Sequence, residues 1–366
     1  MGGGGPTGGR GLEFHVPGLF GPYPAQHKPP GVDAPGLEQL LRFAVLQPGR
    51  GDDPLRQRLV GFIDEGAYSG GGTVAVAALE RLAGGRSAGG TDEGVWMRCD
   101  PVILRADRDR LLMFDAVEAN LQADEAEGIL DTLNATYADD GWYFDAYRAD
   151  VWHLRLPRSP RALFVEPFHA VGRPVESFLP SGEDGRFWLT RLNEMQMLLH
   201  DHPVNRAREG RGLPAINALW PWGAGTLPTL RRPHWDVIWD DDPTGTALAE
   251  GVGIESRPVP ADASAWLATA GSGNHRVFVD TLRRCLEYGD FSEWLELLPR
   301  FDRDWFQPLV AALDNRSLDT LTLIDGLWYV RVAPPNRFAF WRRLRRSPGV
   351  MDLVVIEDTS RRKDLS

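Results

Sequence analysis

Cysteine is nearly absent from this chain, with only Cys99 and Cys285 in 366 residues. The two lie far apart and match no metal or redox spacing, which reads as two reduced thiols in a cytoplasmic protein. Positive charge is also short. Forty Lys and Arg face 51 Asp and Glu, for a net charge of −11 and an isoelectric point near 5.3. Nucleic acid and anionic membranes both require basic surface, so neither is expected as a partner. No apolar run is long enough to span a bilayer. The opening MGGGGPTGGRG lacks the apolar stretch of a signal peptide, and residues 1–11 read as a disordered leader. Its Met-Gly start is no argument for myristoylation, because glycine simply fills the segment. Several catalytic signatures are missing too. There is no Gly-x-Ser-x-Gly elbow, and GGGT at 70–73 lacks the Lys-Ser/Thr of a phosphate loop. His200 and His202 do not share a helix face, as paired helical metal ligands must.

What is present suffices for about two domains, since 43% of the residues are apolar. LEFHVPGLFGP (12–22) reads as a short strand stopped by Pro-Gly. APGLEQLLRFAVL (34–46) reads as an amphipathic helix with Pro near its start. TVAVAALERLAGG reads as a helix closed by glycines, and residues 84–94 as a linker. VWMRCDPVILRAD, WYFDAY and VWHLRL read as strands. ADEAEGILDTLNATYA and RFWLTRLNEMQMLLHDHP read as helices. WDVIWDDD, HRVFVDTL and LDTLTLIDGLWYVRV read as later strands, with helices GTALAEGVG and 291–313 among them. The aromatic-rich 291–313 stretch is taken as an amphipathic core helix. Alternation of this kind predicts an α/β fold with a mostly parallel sheet. Residues 12–90 and 223–345 are expected to build one sheet, 92–222 an inserted smaller α/β domain, and 346–366 a loose tail.

The stretch HPVNRAREGRGLPAINALWPWGAG (202–225) is too polar for a core element and too rich in Trp for an ordinary loop. It resembles a run in the archaeal-type, cofactor-independent phosphoglycerate mutases of the alkaline phosphatase superfamily, His-Pro-Val-Asn through Trp-Pro-Trp-Gly-x-Gly. MRCDPVILRADRD, VEPFHAVGRP, VDAPGLEQLLRFA and VFVDTLRRCLEYGDFSEWLELLPRFD resemble other segments of that family, in the same order. The resemblance implies an alkaline-phosphatase-like core, two metal ions held by Asp and His, a phosphorylated Ser nucleophile and a substrate domain. Two-metal phosphoryl transfer needs hard carboxylates and neutral imidazoles. At the positions matching the family's metal ligands this sequence carries Pro17, Arg283, Glu287, Asp325 and Gly326. Proline and glycine side chains bind no metal, and an arginine repels one. Asp240, Asp241 and Asp242 read as a helix cap or a solvated turn. Ser69 and Thr73, the only hydroxyls in the nucleophile's region, read as turn residues.

Polar residues survive in the segment matching the substrate domain. Arg98, Asp100, His169, His202, Asn205, Arg208 and Asn217, with Glu166 nearby, are the candidate ligand-binding set, since Arg, His and Asn suit phosphate or carboxylate. The competing reading is that they brace the domain, with Asn205 capping a helix after Pro203 and Trp220 and Trp222 serving as packing. The expectation is a non-catalytic relative of the mutases, a cytoplasmic regulatory protein with no cofactor. It would bind a phosphorylated three-carbon acid or a protein partner. A bacterial group of this arrangement is known as RpfE-type regulatory proteins, and the chain resembles it. The alternative is an active mutase or phosphatase with rearranged ligands and a divalent metal.

Overall fold

The computed structural model describes residues 9–21, 32–49, 51, 53–63, 74–83, 95–225 and 229–332. The expectations for residues 1–8, Ser69, Thr73, 84–94 and 346–366 lie outside these. In chain order the elements begin β1 (Arg10–His15), α1 (Pro35–Arg42), β2 (Ala44–Pro48), α2 (Pro54–Leu59) and α3 (Val76–Ala83). Next come β3 (Val95–Asp107), β4 (Arg110–Asp115), α4 (Ala116–Ala119), α5 (Ala123–Tyr137), β5 (Tyr143–Arg148), β6 (Val151–Leu156), β7 (Ala162–Leu163), α6 (Pro167–Ala170) and β8 (Ser181–Gly182). Then follow α7 (Gly185–His200), α8 (Pro203–Gly210), β9 (Ala218–Trp222), β10 (Val237–Trp239), α9 (Pro243–Gly251), β11 (Glu255–Arg257), α10 (Ala263–Thr269) and β12 (Gly273–Phe278). The last are α11 (Arg283–Tyr288), α12 (Phe291–Phe301), α13 (Gln307–Asp314), β13 (Thr320–Ile324) and β14 (Trp328–Val332).

Contacts divide the chain into two units, Met1–Phe62 with Arg231–Ser366, and Ile63–Leu230. The junctions differ from those expected near 91 and 223: α3 and the residues just past β9 group with the middle unit. The reason is chemical. Glu80 of α3 is fully buried and accepts from Arg98 of β3 at 2.9 Å, which ties the helix to that sheet.

The outer unit holds a seven-stranded sheet in the order β11-β10-β12-β1-β13-β14-β2. Its first five strands run parallel, and β14 and β2 pair antiparallel. The α/β class with a mostly parallel sheet is therefore observed. Phe14 of β1 sits in its core, 4.8 Å from the Trp305 ring between centroids. The 291–313 segment is apolar on its inner face as expected, but it is two helices. Asp302–Phe306 forms a π turn between α12 and α13, next to Pro308, which has no N–H to continue the ladder. Asp302 is fully buried, and its carboxylate accepts from the N–H groups of Gly36 at 3.1 Å and Leu37 at 2.7 Å. It thus satisfies the first turn of α1, whose own N-cap, Ala34, cannot.

Two expectations are corrected here. The helix read over 34–46 stops at Arg42, and Ala44–Pro48 is an edge strand on β14, so pairing overrides the helical pattern. The strand read over 318–332 is a hairpin, because Asp325-Gly326 makes the turn, with Gly326 at φ +107.

The middle unit is antiparallel throughout its main sheet, in the order β4-β3-β6-β5 with β9 also on β3. Helix α5 begins with a Gln122/Glu125 capping box. It is bound to β5 by Asn134, which donates to the Phe144 carbonyl at 2.9 Å and accepts its N–H at 2.7 Å. The Trp-Pro-Trp of 220–222 is strand β9, entirely buried.

Candidate functional site

In the outer unit the parallel strands β10, β12, β1 and β13 end side by side. Asp240–Asp242, Asp280, Pro17 and Asp325 therefore emerge along one edge, the carboxyl end of the sheet, where open α/β sheets place ligands. Arg58 of α2 lies among the acids. Its Nε and Nη2 donate to the two oxygens of Asp240 at 2.9 and 3.2 Å, and Nη2 also donates to Asp280 at 2.6 Å. Asp242 stands 3.8 Å from Nε. Arg58 and Asp240 are both nearly inaccessible, at 4% exposure each. Burial opposes the Arg58 charge, but Asp240, Asp242 and Asp280 outweigh it and hold the guanidinium well above its ordinary range. Burial pushes the Asp240 carboxyl up to about 7, Asp242 and Asp280 adding to the shift and Arg58 opposing it. Burial is the larger cause, and the two further carboxylates around the one guanidinium act in the same direction.

Gly245 makes this packing feasible, since a Cβ there would fall 2.0 Å from Asp240 Oδ2. Asp242 also caps α9, accepting from Thr244 N at 2.9 Å. The cap reading of that acid is thus met, while Asp240 has a different task. Arg276 of β12, likewise buried, donates to the last carbonyls of α2, those of Arg58 at 3.1 Å and Val60 at 3.2 Å, and to Gln57 O. Beside Asp240 and Asp280 a cavity of about 320 Å³ opens, with Asp241, Thr281, Phe278 and Trp305 also in its wall. Neither Arg58 nor Arg276 stands out in the sequence, because their partners lie so far along the chain.

The positions matching the family's metal ligands lie along this same edge. Pro17 leads into a tight turn, and Gly18, at φ +80, approaches the Leu282 carbonyl so closely that a Cβ would come within 2.5 Å of it. Arg283 forms an ion pair with the buried Glu287 one turn on, and its Nε lies 3.3 Å from Asp280 Oδ1. Burial opposes its charge, and Asp280 and Glu287 raise it above the ordinary range. Asp325 accepts from Trp328 N at 2.7 Å inside the hairpin turn.

In the middle unit, the side chains of Arg98, Asp100, His202, Asn205, Arg208 and Asn217 hydrogen-bond within their own domain. Arg98 makes a two-pronged pair with Asp100, both bonds 2.9 Å, besides its bond to Glu80. Asp100 also accepts from Trp222 Nε1 at 2.7 Å and Trp152 N at 3.1 Å. Burial raises the Asp100 carboxyl against the opposition of these donors. His202 caps α8 through Nδ1, accepting from Val204 N at 3.3 Å, and its Nε2 lies 2.9 Å from Thr132 Oγ1. Asn205 donates to the carbonyls of Leu199 and Ile216 at 2.8 and 2.7 Å and accepts Ile216 N at 2.9 Å. Asn217 bonds both backbone groups of Leu104, at 2.7 and 2.8 Å.

Arg208 is 0% exposed. It donates to Pro214 O at 2.9 Å, to Glu125 and to the Ala119 carbonyl. His169, half-buried in α6, lies against the Phe168 ring at 5.3 Å. Arg98, His202 and Arg208 bond different groups, and Arg208 is fully buried. Bonds of this kind are what the bracing reading expects, with His202, not Asn205, as the helix cap. Pro203 at the first helical position is the sequence signal for that cap.

No protein-family model matches the chain. It is 25% identical over 184 residues to the 2,3-bisphosphoglycerate-independent phosphoglycerate mutase of Methanothrix thermoacetophila, a match covering 50% of this chain and 44% of the relative. Identity to the mutase of the same name from Methanosarcina barkeri is 27%, over 49% of this chain and 42% of that one. The Methanopyrus kandleri mutase is 26% identical across 91% of this chain and 86% of its own. Over these spans the chain is similar to proteins named phosphoglycerate mutases. The matches span less than half the length of the first two of these proteins. Among solved structures, PH0037 from Pyrococcus horikoshii covers 89% of this chain and 88% of its own at 14% identity, with a TM-score of 0.48. The cofactor-independent phosphoglycerate mutase from Thermoplasma acidophilum covers 94% and 98% at 17% identity, with a TM-score of 0.39.

The residues at the positions that the resemblance matches to metal ligands do not fit a pair of divalent ions. Pro17 and Gly326 offer no side-chain donor and Arg283 brings positive charge. Glu287 is engaged by that arginine, and Asp325 bonds its own hairpin.

Proposed function

We propose that this chain is a non-catalytic member of the mutase lineage, with an alkaline-phosphatase-like core, acting as a cytoplasmic regulatory protein of the RpfE type. The observation that carries the reading is the Arg283–Glu287 ion pair at the carboxyl edge of the sheet. A cation and its counter-ion fill there, from within the chain, two positions that the resemblance assigns to metal ligands. The reduced, buried Cys99 and Cys285 accord with a cytoplasmic setting, and no helix among the described residues is long and apolar enough to cross a membrane. A protein partner is the better target for such a regulator than a phosphorylated three-carbon acid. The arginines that would hold the acid already have carboxylates of their own.

The test is direct. The purified full chain is assayed for mutase and phosphatase activity with and without Mn²⁺, and its metal content is measured. The proposal expects no turnover above background and no dependence on Mn²⁺. Turnover of 3-phosphoglycerate, lost on treatment with chelator and restored by Mn²⁺, would establish the alternative of an active enzyme with rearranged ligands.

A further inference from the structure

We infer that Arg58 is a built-in cation, which offsets part of the charge of the acidic cluster at the carboxyl edge of the outer sheet and keeps divalent metal ions out of it. The inference rests on the non-catalytic reading above and deepens it, since it names what replaces metal charge at that edge.

The acids come from two strand ends. Asp240 and Asp242 follow β10, and Asp280 follows β12. All three turn toward one guanidinium, at 2.6 to 3.8 Å. Carboxylates gathered this way repel one another, and an oxygen-rich set of three is the donor chemistry that Mn²⁺ and Mg²⁺ accept. A guanidinium supplies only one positive charge, but it never loses its proton, and its planar fork matches the two oxygens of Asp240. The residue is also held by its surroundings, at the main chain and at the guanidinium. The Arg58 carbonyl is held by Arg276 Nη1 at 3.1 Å, and the guanidinium lies 4.2 Å from the Phe278 ring centroid. The cation is part of the helix that carries it.

The experiment compares the full-length wild type with Arg58→Ala and Arg58→Gln, each with and without Asp240→Asn, using Mn²⁺ as the probe. Calorimetric titration and Mn²⁺ electron paramagnetic resonance count the bound ions, and circular dichroism reports folding. Either Arg58 variant is expected to bind one more Mn²⁺ than the wild type. Asp240→Asn should remove that gain. If a variant is unfolded as isolated, adding Mn²⁺ should restore its dichroism, and Asp240→Asn should prevent the restoration.

Two results overturn the inference. One is a pair of Arg58 variants that gain no ion and show no recovery of folding with Mn²⁺. The other is a wild type whose bound Mn²⁺ disappears with Asp240→Asn. The non-catalytic reading fails separately, through metal-dependent turnover by the wild type, so the two failures are distinguishable.

Discussion

Arg208→Ala separates a brace from a ligand-binding residue. The wild-type guanidinium is completely buried and serves three acceptors, the carbonyls of Pro214 and Ala119 and the Glu125 carboxylate. Alanine leaves two buried carbonyls without donors, each costing about 1–3 kcal/mol. It also removes one partner of a buried ion pair, a change worth about 3–5 kcal/mol. The terms overlap, and Arg211 still reaches Glu125, so the expected loss is roughly 4–6 kcal/mol. That is a large part of the roughly 5–15 kcal/mol of a typical domain. Arg208→Lys keeps the charge but loses the planar fork and should fall between the two proteins. Urea unfolding, followed by near-ultraviolet dichroism of the buried tryptophans, measures these differences. A midpoint for Arg208→Ala within about 1 kcal/mol of the wild type would refute the reasoning. So would a wild-type melting temperature that rises with 3-phosphoglycerate while that of the stable variant does not, because Arg208 would then be an anion ligand.

Three more perturbations probe the same physics. With its carboxyl raised to about 7 from about 3.9 when unfolded, Asp240 holds a proton in the folded chain that the unfolded chain has lost between those values. Its contribution to stability is greatest at low pH and falls as pH rises from about 4 through 7. Urea midpoints at pH 5 and 7 should show this decline, and Asp240→Asn should flatten it. Gly245→Ala pushes a methyl group into Asp240 Oδ2, breaks the Arg58 fork and should cost about 1–3 kcal/mol by thermal unfolding; an unchanged midpoint would contradict the packing described. Asp302→Ala takes the acceptor from the first turn of α1 and should destabilise by about 1–2 kcal/mol, with faster hydrogen exchange at Gly36 and Leu37 as its signature.

The sequence discloses what is local. The mostly parallel sheet follows from strand–helix alternation, and the inner face of 291–313 from its apolar spacing. The carboxyl-edge pair Arg283–Glu287 is legible because its members stand four apart on one helix. Distant partnerships are not legible. Arg58 and Asp240, or Arg208 and Glu125, give no sign of one another in a single sequence. For that reason 202–225 reads as a binding loop, although its polar groups close on carbonyls and helix ends of their own domain. Residue types that recognise a phosphate also recognise a backbone carbonyl or a neighbouring carboxylate, and only geometry decides between them. The edge strand β2 was hidden for a related reason: Ala44–Pro48 continues a helical pattern, and only pairing with β14 makes it a strand.

The placement of β1 bears on how the chain is made. Its first residue, Arg10, lies opposite Gly273, and Gly11 lies opposite Thr320. At about 5–20 residues per second, a ribosome needs roughly 10–60 s to deliver the neighbours of that first strand. Every strand of the five-stranded sheet, all within Ile63–Leu230, is synthesised during that wait. A nascent chain halted before residue 273 therefore holds the whole of the five-stranded sheet, while β1 still lacks both of its own neighbours. That strand carries Arg10 and Glu13, charges that discourage an exposed edge from pairing with the wrong chain.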